Sequence, residues 1–183
     1  MGVIRVAMHV TGHRQLLPID GITPPWPDSN PKVAMHHEAI IASLYQFCEH
    51  AYKHGINTFI TGMALGADQL FAEAVLKLKQ HYSLKLIAAV PFPGQEGNWP
   101  YKSKEKFNSI LSRVDEVKIV SEGPYSARKM QIRNVWMVDN SDLTLAIWDG
   151  GDGGTKNCVM YALSKSKPVM RMDHRKFTYD YIK

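Results

Sequence analysis

Four glycines fall within five positions in the run Asp149-Gly150-Gly151-Asp152-Gly153-Gly154-Thr155. The run follows an apolar segment, Leu143 to Trp148, and precedes a segment that reads as a helix, Lys156 to Ser166. Strand, glycine loop and helix together let backbone N–H groups and a helix N-terminus surround a phosphate. So little side-chain bulk also lets a ligand approach the main chain closely. An anion suits such a loop, and a nucleotide is the first expectation. Two more loops end apolar segments in the same way: Thr11-Gly12-His13-Arg14, and Gly62-Met63-Ala64-Leu65-Gly66-Ala67-Asp68. Arg14 and Arg133 are the side chains best suited to phosphate, because a guanidinium fork pairs bidentately with its oxygens. His13 can hydrogen-bond a ribose or base, or equally make a structural hydrogen bond.

Better-known fingerprints are missing. The chain has no GxxxxGK[ST], and Gly62 to Gly66 does not read GxGxxG. This argues against a kinase, an NTPase and a conventional NAD dehydrogenase. His36-His37-Glu38 lacks the spacing that puts ligands on one helix face, so no metal site is expected, and no cofactor is implied. Phe92 and Trp99 follow the third apolar segment, where either could stack on a base, although aromatics so placed more often only cover a loop.

The elements that must position these residues alternate. Strands are expected at Val3 to Val10, Thr58 to Thr61, Leu84 to Val90, Val114 to Val120 and Leu143 to Trp148, with a short one at Pro168 to Met172. Helices are expected over Val33 to His54, from Asp68 to Gln80, over Lys102 to Ser112, from a Ser126 cap to Asn140, and over Lys156 to Ser166. Alternation of this kind predicts an α/β, Rossmann-like, doubly wound and mostly parallel sheet with helices on both faces. Ligands then sit at the carboxyl ends of the strands. The proline-bearing stretch Gln15 to Lys32, with Trp26, is expected to be a lid or ligand wall. The last residues, Asp173 to Lys183, are expected to pack loosely.

With 183 residues and 45% hydrophobic content the chain can bury its own core, and one domain over 1–183 is expected. A net charge of +5 suits anionic ligands without demanding nucleic acid. The two cysteines, Cys48 and Cys158, do not form a CxxC pair and are expected to stay reduced. No signal-peptide pattern and no apolar run of roughly 20 residues is present, so a cytoplasmic protein without a membrane partner is expected.

In this order the three loops resemble the YpsA-like branch of the SLOG superfamily, which groups the DprA/Smf proteins with the LOG-type phosphoribohydrolases. Thr11-Gly12-His13-Arg14, Gly62-x-Ala64-x-Gly66-Ala67-Asp68 and Asp149-Gly150-x-x-Gly153-Gly154-Thr155-x-Asn157 carry the resemblance. It implies a Rossmann-like fold and a site for a nucleotide or a related phosphoribosyl or ADP-ribose-like ligand. That site would be lined by Thr11, Gly12, His13, Arg14, Gly62, Gly66, Asp68, Arg133, Asp149, Gly150, Gly151, Gly153, Gly154, Thr155 and Asn157.

The LOG enzymes pair an arginine helix, x-E-R-K, with a loop, P-G-G-x-G-T-x-x-E. Against that pattern Arg133 matches the arginine and Thr155 the threonine, while Asn134 replaces the lysine and Cys158 replaces the glutamate. Glycosidic cleavage needs a carboxylate, a role cysteine does not serve. Besides Arg133, the catalytic candidates are then Asp68, Glu73, Asp149 and Asp152. Asp68 and Glu73 equally suit the start of a helix, and Asp149 and Asp152 the shaping of a turn. Three functions stay open: a module that senses or sequesters a signalling nucleotide, a hydrolase or transferase acting on the N-glycosidic bond of a nucleotide, and single-stranded DNA binding of the DprA type. Related enzymes suggest a homodimer.

Overall fold

A computed structural model describes residues 6–14, 16 and 30–182. The stretch expected to form a lid lies almost wholly outside the described residues, Trp26 included. Among the described residues seven strands form one sheet: β1 (Val6–Gly12), β2 (Ile56–Thr61), β3 (Lys85–Val90), β4 (Glu116–Ile119), β5 (Leu143–Ile147), β6 (Val169–Asp173) and β7 (Thr178–Ile182). Five helices connect them: α1 (Pro31–Lys53), α2 (Ala67–Leu78), α3 (Tyr101–Leu111), α4 (Ala127–Asp139) and α5 (Gly154–Ser164). The strand order is β4-β3-β2-β1-β5-β6-β7, and of these strands only β7 runs antiparallel, against β6. The expected Rossmann-like, doubly wound sheet is therefore the one observed.

Alternation along the strands builds two cores. Met8 and Val10 of β1 face one side with Phe59, Leu86, Leu145 and Ile147, where Ile40 and Leu44 of α1, Phe71 of α2 and Ile110 of α3 cover them. Ala7, Ile60, Ile87 and Ala89 face the other side under Met137 of α4, and Ala146 lies under Cys158 and Val159 of α5. The chain winds outward from β1 through β2, β3 and β4, then returns across the sheet to β5. Between β1 and β5 the winding direction reverses, which opens a crevice at the carboxyl ends of the strands.

The local chemistry explains the helix ends. Asn30 caps α1, its Oδ1 accepting the Lys32 N–H at 2.9 Å, and Pro31 occupies the first turn, where a missing donor costs nothing. Ser126 caps α4 as its sequence suggests, accepting the Lys129 N–H.

Three expectations need correction. Pairing with Ala146 and Ile147 of β5 carries β1 on through Thr11 and Gly12, so the first loop begins only at His13. Helix α5 begins at Gly154 rather than at Lys156, which puts two residues of the glycine motif in its first turn. The C-terminal residues do not pack loosely, because Thr178–Ile182 adds an edge strand. Tyr179 there stacks on Phe47 with ring centres 4.9 Å apart and shares a 2.8 Å hydrogen bond with Ser43 Oγ.

An aromatic pair and a hydrogen bond each contribute about 1 kcal/mol. Tyr179→Ala is therefore expected to lower unfolding stability by about 1–3 kcal/mol in urea titration. An unchanged midpoint would mean that β7 is not part of the cooperative fold.

Candidate functional site

The crevice between β1 and β5 holds a cavity of about 270 Å³ lined by Thr11, Gly12, His13, Arg14, Ala64, Asp68, Met130, Arg133, Asn134, Gly154 and Thr155. Its walls are the ends of β1 and β2, the first turns of α2 and α5, and one face of α4. Two glycines allow these pieces to meet. Gly66 sits at φ +79°, where a Cβ would lie 2.3 Å from the Arg14 carbonyl oxygen. A side chain there would force the β1 loop and the α2 start apart. The same junction is tied by the Ala67 N–H, which donates to the His13 carbonyl at 3.2 Å. At Gly62 a Cβ would fall 1.8 Å from Arg133 Nη1, so only glycine leaves room for the guanidinium.

Arg133 fills that space, donating to the Gly62 carbonyl and lying 3.4 Å from Asp68 Oδ2. Both side chains are nearly enclosed, at 6% and 4% exposure. The same Asp68 oxygen accepts the Ala64 N–H at 3.1 Å. Burial pushes the Asp68 carboxyl upward in pKa, against the pull of the Arg133 charge. Burial also lowers Arg133, but from so high a value that the guanidinium stays charged at neutral pH. Arg133 Nε is buried without a hydrogen-bond partner among the described residues. A donor left so is costly unless something arrives to accept from it.

The glycine loop is held mainly by its own contacts. Asp149 Oδ1 accepts the Gly151 N–H at 2.9 Å and lies 2.8 Å from His13 Nε2, and Trp148 Nε1 donates to the Gly151 carbonyl at 2.7 Å. The Gly151 N–H and then His13 hold the Asp149 carboxyl below its ordinary pKa. Gly153 caps α5 with no side-chain acceptor. The first turn of α5 therefore brings uncapped N–H donors and the positive end of the helix dipole to the cavity wall at Gly154 and Thr155. Asn134 Nδ2 makes a long 3.4 Å contact to the Gly154 carbonyl.

Of the candidates read from the sequence, Thr11, Gly12, His13, Arg14, Asp68, Arg133, Gly154 and Thr155 are brought together as lining. Gly62 and Gly66 shape the cavity from behind, and Asp149 touches it through His13. Gly150, Gly151 and Gly153 are exposed in the loop and do not line it. Asn157 is exposed on α5, and Asp152 pairs with Lys156 at the surface. Glu73 is elsewhere, paired at 2.9 Å with Lys106 of α3. Ala64, Met130 and Asn134 are lining residues that the sequence reading did not include. The last two stand three residues before and one after Arg133, so helical spacing sets all three along one side of α4.

Cys158, matched to the LOG glutamate only by the resemblance, is fully buried. Its Sγ is 3.6 Å from His9 Nε2, and His9 Nδ1 is 2.7 Å from Ser141 Oγ. Because the Ser141 hydroxyl donates to the Met137 carbonyl, it accepts from His9 Nδ1–H, and Nε2 is left to accept from the thiol. Burial raises the thiol to about 11 and lowers His9 to about 3. Thiol and imidazole are thus both neutral and shut away from the cavity, and the pair acts as polar core packing rather than as a nucleophile with its base.

Residues 9–182 match the YspA SLOG family, and the chain belongs to it. The SPbeta prophage-derived protein YoqJ of Bacillus subtilis is 34% identical over 145 residues, covering 73% of this chain and 83% of that protein. A UPF0398 protein of Halalkalibacterium halodurans is 29% identical over 128 residues, covering 69% of this chain and 68% of that protein. Among solved structures, DNA processing protein A from Helicobacter pylori superposes with a TM-score of 0.59 at 16% identity, and its counterpart from Streptococcus pneumoniae with 0.56 at 15%. They share the fold over 91% and 93% of this chain, which spans 65% and 51% of their lengths. No helix among the described residues is long and apolar enough to cross a membrane.

The buried histidine makes stability depend on pH. Unfolded, His9 takes up a proton near 6.5, whereas folded it does so only near 3. Between those values the unfolded chain binds more protons, so stability is lost as pH falls through this window, on the order of 4–5 kcal/mol in all. Buried His174, lowered to about 4, adds in the same sense. Urea midpoints measured from pH 7 to pH 4 are expected to fall steadily, and His9→Gln to flatten the slope. A slope unchanged in the variant would contradict a neutral buried His9.

Proposed function

We propose that this protein binds a nucleotide or a related phosphoribosyl ligand, ADP-ribose-like compounds included, at the carboxyl edge of its sheet, and that it senses or sequesters such a molecule. One observation carries the reading. At the topological switch point, the uncapped start of α5 at Gly154 and Thr155 shares a cavity with Arg14 and with the buried, incompletely paired guanidinium of Arg133. Backbone donors at a helix N-terminus and guanidinium groups are the two kinds of group that hold a phosphate. The protein offers this phosphate site mainly at residues 154–155, since the Gly151 N–H is already taken by Asp149. His13, fixed by Asp149, lines the same cavity and would hydrogen-bond a ribose hydroxyl.

A second reading is favoured by Asp68. Among the four carboxylates considered for N-glycosidic cleavage, it alone lines the cavity, and burial raises its pKa toward that of a group that can hold a proton. Its Arg133 and Ala64 contacts oppose that use, because they stabilise the carboxylate. Incubation with nucleoside 5′-monophosphates discriminates the two: release of free base that Asp68→Asn abolishes would make the protein an enzyme, and binding without release supports a sensor. The Helicobacter pylori protein is described by its single-stranded DNA binding mode. At 16% identity only the fold is shared, so DNA binding is the weaker reading here. It requires an affinity for single strands that falls steeply with salt.

Calorimetry with the four common nucleoside 5′-monophosphates tests the first reading. At least one is expected to bind, and Arg14→Ala is expected to weaken it about tenfold or more, the usual effect of losing a charged hydrogen bond. Arg14 is exposed, so the variant should fold normally. No binding at millimolar concentration, or unchanged binding by the variant, would overturn the phosphate assignment.

A further inference from the structure

A second cavity, of about 520 Å³, opens beside the first and shares Arg14 and Met130 with it as lining. Its other walls come from the segments after β3 and before α4 and include Phe92, Gln95, Trp99 and Tyr125. Flat apolar walls around a few polar groups suit a planar ring.

The aromatic residues differ in availability. Phe92 is buried and Trp99 is set edge-on against Phe107, with ring centres 5.4 Å apart and planes at 86°. Phe92 lies in the core and Trp99 is half-buried against it, as aromatics that cover a loop. Tyr125 is 66% exposed, with the Phe92 ring centre 5.7 Å away, and is the most open of the three rings.

The polar group is more specific. Gln95 is only 8% exposed, and its Nε2 donates to the Met63 carbonyl at 2.9 Å. A carbonyl cannot donate, so the amide cannot be flipped, and Oε1 must be the atom turned away from Met63. That oxygen is buried and has no partner among the described residues. Gln95, a lining residue, therefore carries one fixed acceptor without a partner among the described residues, and it calls for an N–H or O–H donor.

We propose that this second cavity holds the nitrogen heterocycle of the ligand, with Tyr125 stacked on one face and Gln95 Oε1 accepting from a ring or exocyclic N–H. The ligand class is thus a base-bearing phosphoribosyl compound rather than a bare sugar phosphate, with its phosphate in the first cavity and Arg14 at the border between the two. This rests on the nucleotide reading above and adds the part of the ligand that gives specificity.

The test compares ribose 5-phosphate with the adenosine, guanosine, cytidine and uridine 5′-monophosphates, by calorimetry on the full chain. At least one monophosphate is expected to bind about tenfold or more tighter than ribose 5-phosphate, the usual effect of stacking a base on an aromatic ring. Tyr125→Ala, a surface change, should erase most of that advantage and leave ribose 5-phosphate affinity unchanged. Gln95→Met should reduce the advantage in the same selective way. Equal affinities for ribose 5-phosphate and all four monophosphates would overturn the base site while leaving the phosphate site standing. A monophosphate advantage that neither variant alters would place the base elsewhere and also overturn it. If nothing in the series binds, the nucleotide reading fails and takes this proposal with it.

Discussion

A guanidinium held out of water at the end of a parallel sheet constrains everything around it. Arg133 reaches from α4 into the end of β2, where its charge is met by Asp68 and by the Gly62 carbonyl. Isolated, either buried charge would cost several kcal/mol, and losing one partner of such a pair costs about 3–5 kcal/mol. The chain around them is accordingly restricted. Position 62 has no room for a Cβ, Ala64 turns its N–H to the carboxylate, and the Thr61 hydroxyl donates to the Asp68 carbonyl at 2.8 Å. The pair fastens the α2 start to α4 across the sheet edge, and the cavity is the space left above it.

Much of this was legible in the residues. The strands buried on both faces read as apolar runs, and the turns between them carry glycine, so both the alternation and the parallel sheet followed from pattern. The three loops share one edge because parallel strands put their carboxyl ends together. The edge strand β7 did not show itself, since Thr-Tyr-Asp-Tyr-Ile is half polar and takes its stability from Phe47 and Ser43, far away in sequence. The depth of Arg133 was equally hidden. An arginine on a helix usually marks a solvated face, and only a glycine more than seventy residues earlier makes room for this one. Glu73, near the loops in sequence, is carried away by the turn of α2 to meet Lys106.

The glycine motif also reads differently in three dimensions. Its first half, Asp149 to Gly151, closes on itself through Asp149 and Trp148. Its second half starts α5 and reaches the cavity. Beneath that helix start, the position of the LOG glutamate is filled by a thiol whose neighbour is a neutral imidazole. Cys158 thus brings no carboxylate from α5, and the cavity is lined instead by Arg14, Arg133 and the first turn of α5, which supports the proposed anion binding.

If the α5 N-terminus receives the ligand's phosphate, as proposed, backbone amide resonances report on it directly. In a titration of ¹⁵N-labelled protein with a nucleoside 5′-monophosphate, the Gly154 and Thr155 signals should move saturably and among the furthest. Saturable shifts confined to other parts of the chain, with these two amides unmoved, would contradict the claim.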